Sequence, residues 1–460
     1  MMSTTLARWK PSALALASFL ILTIPAFAQT PPPSALPDLT PAQMREDLKF
    51  LKTEWASQDK SFSDTQRLEF ERIVDNTTAA ADKLSTKGFA LEVMRAVAVA
   101  RNGHTVARAA NMMNALPVKA WWFADGLYIV KAQPELAYLI GARIEKLGSL
   151  SADEALAKIA PFISGTDQRI RFLSANLLTS PDVLEHVGAT SGQEIPLTLR
   201  LADGRTEQVK LNAVSTPDPG DKGKNINRGY TVLVPDDPDL EGRWNHVLDP
   251  IKERSPLYTK RTDVTTSWLE DKKVFYIRLD AVSSVDDTPL DQKFAGIFRQ
   301  SLLPSIPKTI VIDLRLNSGG DFFNTILFSQ SLPRLVTPKG RILVLVSRAT
   351  FSAGISTAAM LKGASQGNVT LIGETMGDSG QFWSEGETIP LPISKIGVEY
   401  SNQFEDYENG CTDPATCFWA VVAFGPRNIS LTPEEKIDVT FADYAAGRDP
   451  VLEKALSLAK

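Results

Sequence analysis

Apolar residues in the first part of the chain recur at helical spacing. Thr40-Pro41-Ala42-Gln43 offers an N-cap and a proline at the first helical position, ahead of Leu48, Leu51 and Trp55. Two more helices are predicted near 63–84 and 87–101, so residues 40–115 read as a small helical domain. From Ala120 the period shortens. Residues 126–130 are a short apolar strand, and 139–144 a tight turn leading into another. Residues 151–159 read as a helix, with Ser151 as cap and Glu154 three residues on. Residues 195–199 and 207–211 are strands joined by the turn Ala202-Asp203-Gly204-Arg205. A helical insertion is expected at 160–193. Residues 214–265, rich in Pro, Asp and Gly, read as a connector.

The pattern changes again near 266. Val274-Phe275-Tyr276-Ile277 is a strand, 290–303 a helix, and Thr309-Ile310-Val311-Ile312-Asp313-Leu314 a continuous apolar strand. Residues 342–346 and 370–373 are two more strands, with helices between them. Uninterrupted apolar strands alternating with helices predict an α/β domain with a largely parallel sheet covered on both faces.

Composition narrows the classes. The chain has 460 residues, 22% charged, with a formal net charge of −5, which leaves no basic footprint for nucleic acid. Residues 1–28 read as a secretory signal peptide. Arg8 and Lys10 precede an apolar stretch, and Ala26-Phe27-Ala28 offers small residues for cleavage. Its removal takes away two basic and no acidic side chains, so the charge becomes −7. A proline-rich linker follows at 29–39. No later stretch has about 20 uninterrupted apolar residues, so an exported protein without stable membrane insertion is expected, periplasmic or secreted. In an oxidising compartment, Cys411 and Cys417 read as one small-loop disulfide. No metal site is expected. Trp121-Trp122-Phe123 reads as core, and Asp236-Asp237-Pro238-Asp239 as a solvated turn.

Three segments at strand ends hold unusual residues. Asp313-Leu314-Arg315-Leu316-Asn317-Ser318-Gly319-Gly320 ends in paired glycines, which can expose N–H groups. Thr350-Phe351-Ser352-Ala353-Gly354 places a serine at a strand-to-helix turn, where the next N–H can face a developing oxyanion. Gly373-Glu374-Thr375-Met376-Gly377-Asp378-Ser379-Gly380 is the third.

Together these segments resemble the tail-specific (C-terminal processing) serine peptidase family, whose members include tricorn core protease and interphotoreceptor retinoid-binding protein. The run Ile437-Asp438-Val439 and Gly447-Arg448-Asp449-Pro450-Val451-Leu452 resembles the family's closing pattern, while Pro433-Glu434-Glu435-Lys436 departs from it. The resemblance implies a helical domain, a PDZ-like domain at 120–213 and a crotonase-like (ClpP-like) layered catalytic domain at 266–460. It implies Ser352 as nucleophile, with Ala353 and Gly319 or Gly320 forming the oxyanion hole. The substrate would be a peptide or protein, engaged through its C-terminal region, with no cofactor. The lysine base of the best-known branch is missing, since no lysine lies between Lys362 and Lys395. Asn102-Gly103-His104-Thr105 resembles the tricorn-like histidine segment instead, which makes His104 the expected base. His186 and His246, the other two histidines, read as structural. Glu374 is the first choice to orient His104, with Glu385, Glu408 and Asp378 as alternatives. A non-catalytic peptide- or ligand-binding protein on the same fold, or an esterase, are the competing readings.

Overall fold

The computed structural model describes residues 36–214, 232–235, 244–270, 273–336, 340–365 and 367–459. The signal peptide, most of the linker and the Asp236–Asp239 stretch lie outside them, as does part of the 214–265 connector. The described residues belong to one compact unit, Pro33–Lys460.

The N-terminal helices form where their caps allow. Thr40 and Ser63 make reciprocal capping boxes with Gln43 and Gln66, opening Pro41–Phe50 and Asp64–Ala80. Ser85 caps Thr86–Ala98. Met44, Leu48, Trp55, Phe70, Phe89 and Leu91 meet in the core beneath them. Ser151 and Glu154 make a third capping box, on Ala152–Ile159.

Next comes an antiparallel sheet. Its strands lie in the order Val118–Phe123, Gly126–Ala132, Arg143–Leu147, Glu194–Arg200, Thr206–Asn212. The helices Asp167–Leu178 and Pro181–His186 lie within residues 160–193. Trp121, Trp122 and Phe123 are buried. The Trp122 indole donates to the Ser174 hydroxyl, and Trp121 meets Phe172 edge to face.

The third region is a six-stranded sheet. Val264–Leu269 runs antiparallel to Val274–Leu279. Thr309–Asp313, Arg341–Val346, Val369–Gly373 and Glu435–Lys436 follow in parallel. Alternate residues supply two cores. Phe275, Ile277, Ile310, Ile312, Ile342 and Val344 pack under the helices Phe323–Leu335 and Ala353–Ala364. Tyr276, Val311, Leu343 and Ile372 meet Val451, Leu452 and Ala455 of Pro450–Leu458 on the other face. This is why the strands read as unbroken apolar runs.

A border at 266 does not separate the cores. Leu391, Ile396, Val398 and Tyr400 pack into the N-terminal core, and Val106–Ala107 pairs with Gly397–Glu399. The N-terminal helices and the region of the six-stranded sheet are thereby stitched together.

Candidate active site

The strand Arg341–Val346 ends in a knotted turn. Ser347 N–H donates to Thr350 Oγ1 (3.0 Å), and Thr350 N–H to the Ser347 carbonyl (2.9 Å). Thr350 Oγ1 donates to the Leu314 carbonyl (2.8 Å), and Phe351 N–H to that of Asn317 (3.0 Å). So held, Ser352 takes φ 52° and ψ −128° and then starts the helix Ala353–Ala364. A non-glycine residue there costs about 1–3 kcal/mol of backbone strain, which the surrounding bonds must offset. Such a strand-to-helix elbow presents a serine hydroxyl away from its own backbone.

Gly319 and Gly320 lie against this elbow at φ 109° and 138°. A Cβ on Gly319 would meet Ser352 Cβ at 2.6 Å and the Ala353 nitrogen at 3.2 Å, so only glycine fits. The Gly319 N–H donates to Asn317 Oδ1 (2.9 Å) and is already engaged. Ala353 is in the first helical turn, so its N–H has no acceptor within the helix. The bridge between Val282 and Gly320 uses Val282 N–H to the Gly319 carbonyl and Asp321 N–H to the Val282 carbonyl (both 2.9 Å), leaving the Gly320 N–H out of it. The Ala353 and Gly320 amides thus stay out of these bonds.

The motif's charged residues stand behind the site. Arg315 grips Asp313 and Asp449 together (2.6 Å each), and Tyr276 donates its hydroxyl to Asp313 (2.7 Å). Asn317 Nδ2 donates to the Leu279 carbonyl (3.0 Å). These contacts tie the Gly319–Gly320 loop to the sheet and to the C-terminal helix.

His104 comes from the loop after Thr86–Ala98 and lines the same cavity as Ser352. Asn102 anchors that loop. It accepts from Trp383 N–H (3.2 Å) and from the Ser164 hydroxyl (2.8 Å), and donates to Thr105 and Ser401 (3.0 Å each). The imidazole lies between Phe351 and Phe382, at ring-centre distances of 4.5 and 5.2 Å. Among the described residues neither ring nitrogen has a hydrogen-bond partner. Burial, with the positive charges of Arg169 and Arg108, pushes its pKa down to about 3. His186 instead pairs with Glu92 (2.8 Å), and His246 is buried against the Val232 carbonyl and Tyr444.

Glu374 does not orient His104. Arg348 holds both its oxygens, and the pair lines a separate small cavity with Trp121. The local sequence placed Glu374 at the right strand end but could not show which way it turns. Glu408 accepts from Gly380 N–H (3.3 Å), and Glu385 lies at the surface. Asp378 is buried beside the histidine loop. A Cβ on Gly103 would meet its Oδ2 at 3.1 Å. Burial pushes its pKa up to about 6.

Sequence reasoning missed Glu405. It sits on Gln403–Asp406, directly opposite Phe382 of Gln381–Ser384, so both side chains leave the same face. Tyr407 donates to it (2.6 Å), as does Ser384. Ser356, one turn after Ser352, donates its hydroxyl to the Ser352 carbonyl (3.4 Å). Burial raises the Glu405 pKa to about 7. A lone glutamate in a short strand has no motif, and only its burial betrays it. The Cys411–Cys417 disulfide closes the loop following this strand.

The shared cavity holds about 620 Å³ and has an apolar wall including Met94, Phe162, Phe172 and Leu177. No lysine lines it. Lys362 pairs with Glu434 elsewhere. Among the described residues no three His, Cys, Asp or Glu side chains are grouped to hold a metal ion. No helix among them is long and apolar enough to cross a membrane.

No protein-family model matches the chain, and no curated protein matches it. Solved structures do. Mature CPAF shares 14% identity at a TM-score of 0.57, over 91% of this chain and 97% of that one. CPAF complexed with lactacystin shares 13% at 0.56, over 91% and 98%. Looser likeness, with a TM-score of 0.37 and 12% identity over 86% and 93% of the chains, is to the photosystem II D1 C-terminal processing protease. The chain therefore has a mixed α/β fold similar to that of CPAF along nearly the whole length of both.

Proposed function

We propose that this chain is an exported serine endopeptidase of the tail-specific kind, working through an acyl-enzyme with a histidine base. The observation that carries the reading is Ser352, held at positive φ on a strand-to-helix elbow, in one cavity with His104 and against Gly319. In the reaction, Ser352 Oγ attacks the peptide carbonyl while a His104 nitrogen takes its proton. The oxyanion is met by the Ala353 and Gly320 amides, each worth roughly 3–4 kcal/mol of transition-state stabilisation. The C–N bond then breaks, and the same proton passes to the leaving amine. Water repeats the sequence to free the enzyme.

The layered sheet region is read as a crotonase-like catalytic domain, and the antiparallel sheet as a PDZ-like module presenting the substrate's C-terminal segment. Export is supported by the N-terminal pattern and by the disulfide. Since CPAF is found complexed with lactacystin, that compound is a ligand to try.

The second reading, a binding protein without catalysis, is favoured by one observation: among the described residues neither His104 nitrogen has a hydrogen-bond partner. Hydrolysis of unfolded protein, peptides and simple esters by wild type and Ser352→Ala separates the readings. The peptidase reading expects peptide cleavage that falls by at least about a thousandfold in the variant. Equal rates in both proteins would overturn it, and ester hydrolysis alone would mark an esterase.

A further inference from the structure

We infer that the buried ion pair of Arg348 and Glu374 positions the Ser352 elbow. The inference rests on Ser352 as the nucleophile. Arg348 belongs to the elbow itself, four residues before Ser352, and Glu374 directly follows the strand Val369–Gly373. Neither lines the cavity of Ser352 and His104, so whatever they do for the reaction passes through the elbow.

The contacts run along the whole turn. Glu374 N–H donates to the Val346 carbonyl (3.2 Å). The Glu374 carboxylate accepts three bonds from one residue. Arg348 N–H (3.3 Å) and Nε (3.0 Å) meet its Oε2, and Arg348 Nη2 meets its Oε1. Gly377 N–H then donates to the Thr350 carbonyl (2.9 Å), and a Cβ on Gly377 would meet the Arg348 carbonyl at 2.6 Å. Residues 374–377 therefore brace 346–350 from end to end. Without the brace the turn is free to relax and release the positive φ of Ser352.

The pair is mostly out of water, with side chains 8% and 14% exposed. Such a pair adds little net stability, because both charges lose their hydration. What a planar guanidinium fork on a carboxylate supplies is direction. The Arg348 guanidinium lies 5.9 Å from the Trp121 ring of the antiparallel sheet, and both line a cavity of about 50 Å³ with Leu316 and Tyr444. Arg348 Nη1 has no hydrogen-bond partner among the described residues, so the fork is held through its Glu374 side. Arg171, over the Trp122 ring at 4.3 Å, is a second positive charge within electrostatic reach of the pair.

The test is amide hydrogen exchange of the full chain, read by mass spectrometry across residues 347–354. In wild type the amides of 347, 349, 350 and 351 are hydrogen-bonded and should exchange slowly. Arg348→Lys keeps the charge and loses the fork. Arg348→Met/Glu374→Gln removes both charges and keeps an acceptor for the 348 amide. Both are expected to exchange at least about tenfold faster in this segment, with the urea midpoint of the double variant close to that of wild type. Lys362→Met breaks the ion pair with Glu434 at the other end of the same helix and should leave the segment unchanged. Slow exchange at the elbow in either Arg348 variant, or an equal rise in Lys362→Met, would overturn the inference. Unfolding of both Arg348 variants would do the same, by marking the pair as structural.

Peptide hydrolysis gives the second readout. Both Arg348 variants should lose at least about tenfold in kcat with KM within about twofold. Wild-type kcat in Arg348→Lys would exclude the role of the fork. If instead Ser352→Ala cleaves peptides as fast as wild type, the peptidase reading fails, while the exchange result still decides the brace.

Discussion

At the scale of single residues, the site depends on what is missing as much as on what is present. Gly319 has no Cβ, and an added one would lie 2.6 Å from Ser352 Cβ. Gly319→Ala is expected to lower kcat for peptide hydrolysis by roughly a hundredfold or more, because the elbow and the amides proposed to meet the oxyanion must shift. A circular-dichroism melt checks that the fold remains. His104 makes a second residue-scale prediction. Its pKa is depressed from 6.5 to about 3, so stability is fully present above pH 6.5 and is lost as pH falls towards 3. The slope is up to about 1.4 kcal/mol per pH unit. His104→Phe removes this group and keeps the stack between Phe351 and Phe382. The stability of the variant relative to wild type should therefore rise from pH 6.5 to 4, as measured by urea unfolding at each pH. Asp378, with its raised pKa, loses stability as pH rises from 3.8 through about 6 in both proteins, so the difference isolates His104.

Elements show how far the sequence could be read. Caps and buried strands were legible because their signals are local: Thr40 and Ser151 sit where capping requires them, and the apolar strands sit where both sheet faces are covered. The serine elbow was legible because small residues crowd a turn. Side-chain direction was not. Glu374 sits one residue past a strand that ends near the site, yet it turns to Arg348, a partner 26 positions away in sequence. Glu405 depends on a cross-strand register with Phe382 that no local pattern announces. The same strand yields a prediction. Cys411 and Cys417 close a small loop behind it, and Cys417 bridges to Phe404. The double variant Cys411→Ser/Cys417→Ser is expected to cost about 2 kcal/mol in denaturant unfolding. Thermolysin should then cut first within 403–417. A loss of stability without local cutting would show that the loop does not hold the strand.

At the scale of the molecule, the cavity is assembled from distant parts. Met94 and His104 come from the N-terminal helical region, Phe162 and Phe172 from the insertion, Ser352 from the layered sheet and Glu399 from the hairpin that returns to the first core. The charged motif residues Asp313, Arg315 and Asp449 serve this assembly from behind, by locking a loop to the sheet and the last helix. Sequence order therefore says little about who meets whom here, and the reading of three successive domains hides a site built across them. The most direct measurement is to treat the full chain with a fluorophosphonate, digest it and map the adduct by mass spectrometry. The account predicts a single adduct on Ser352, formed at least about a hundredfold more slowly in His104→Ala. No adduct on folded protein, an adduct on another serine, or labelling that ignores the loss of His104 would contradict it.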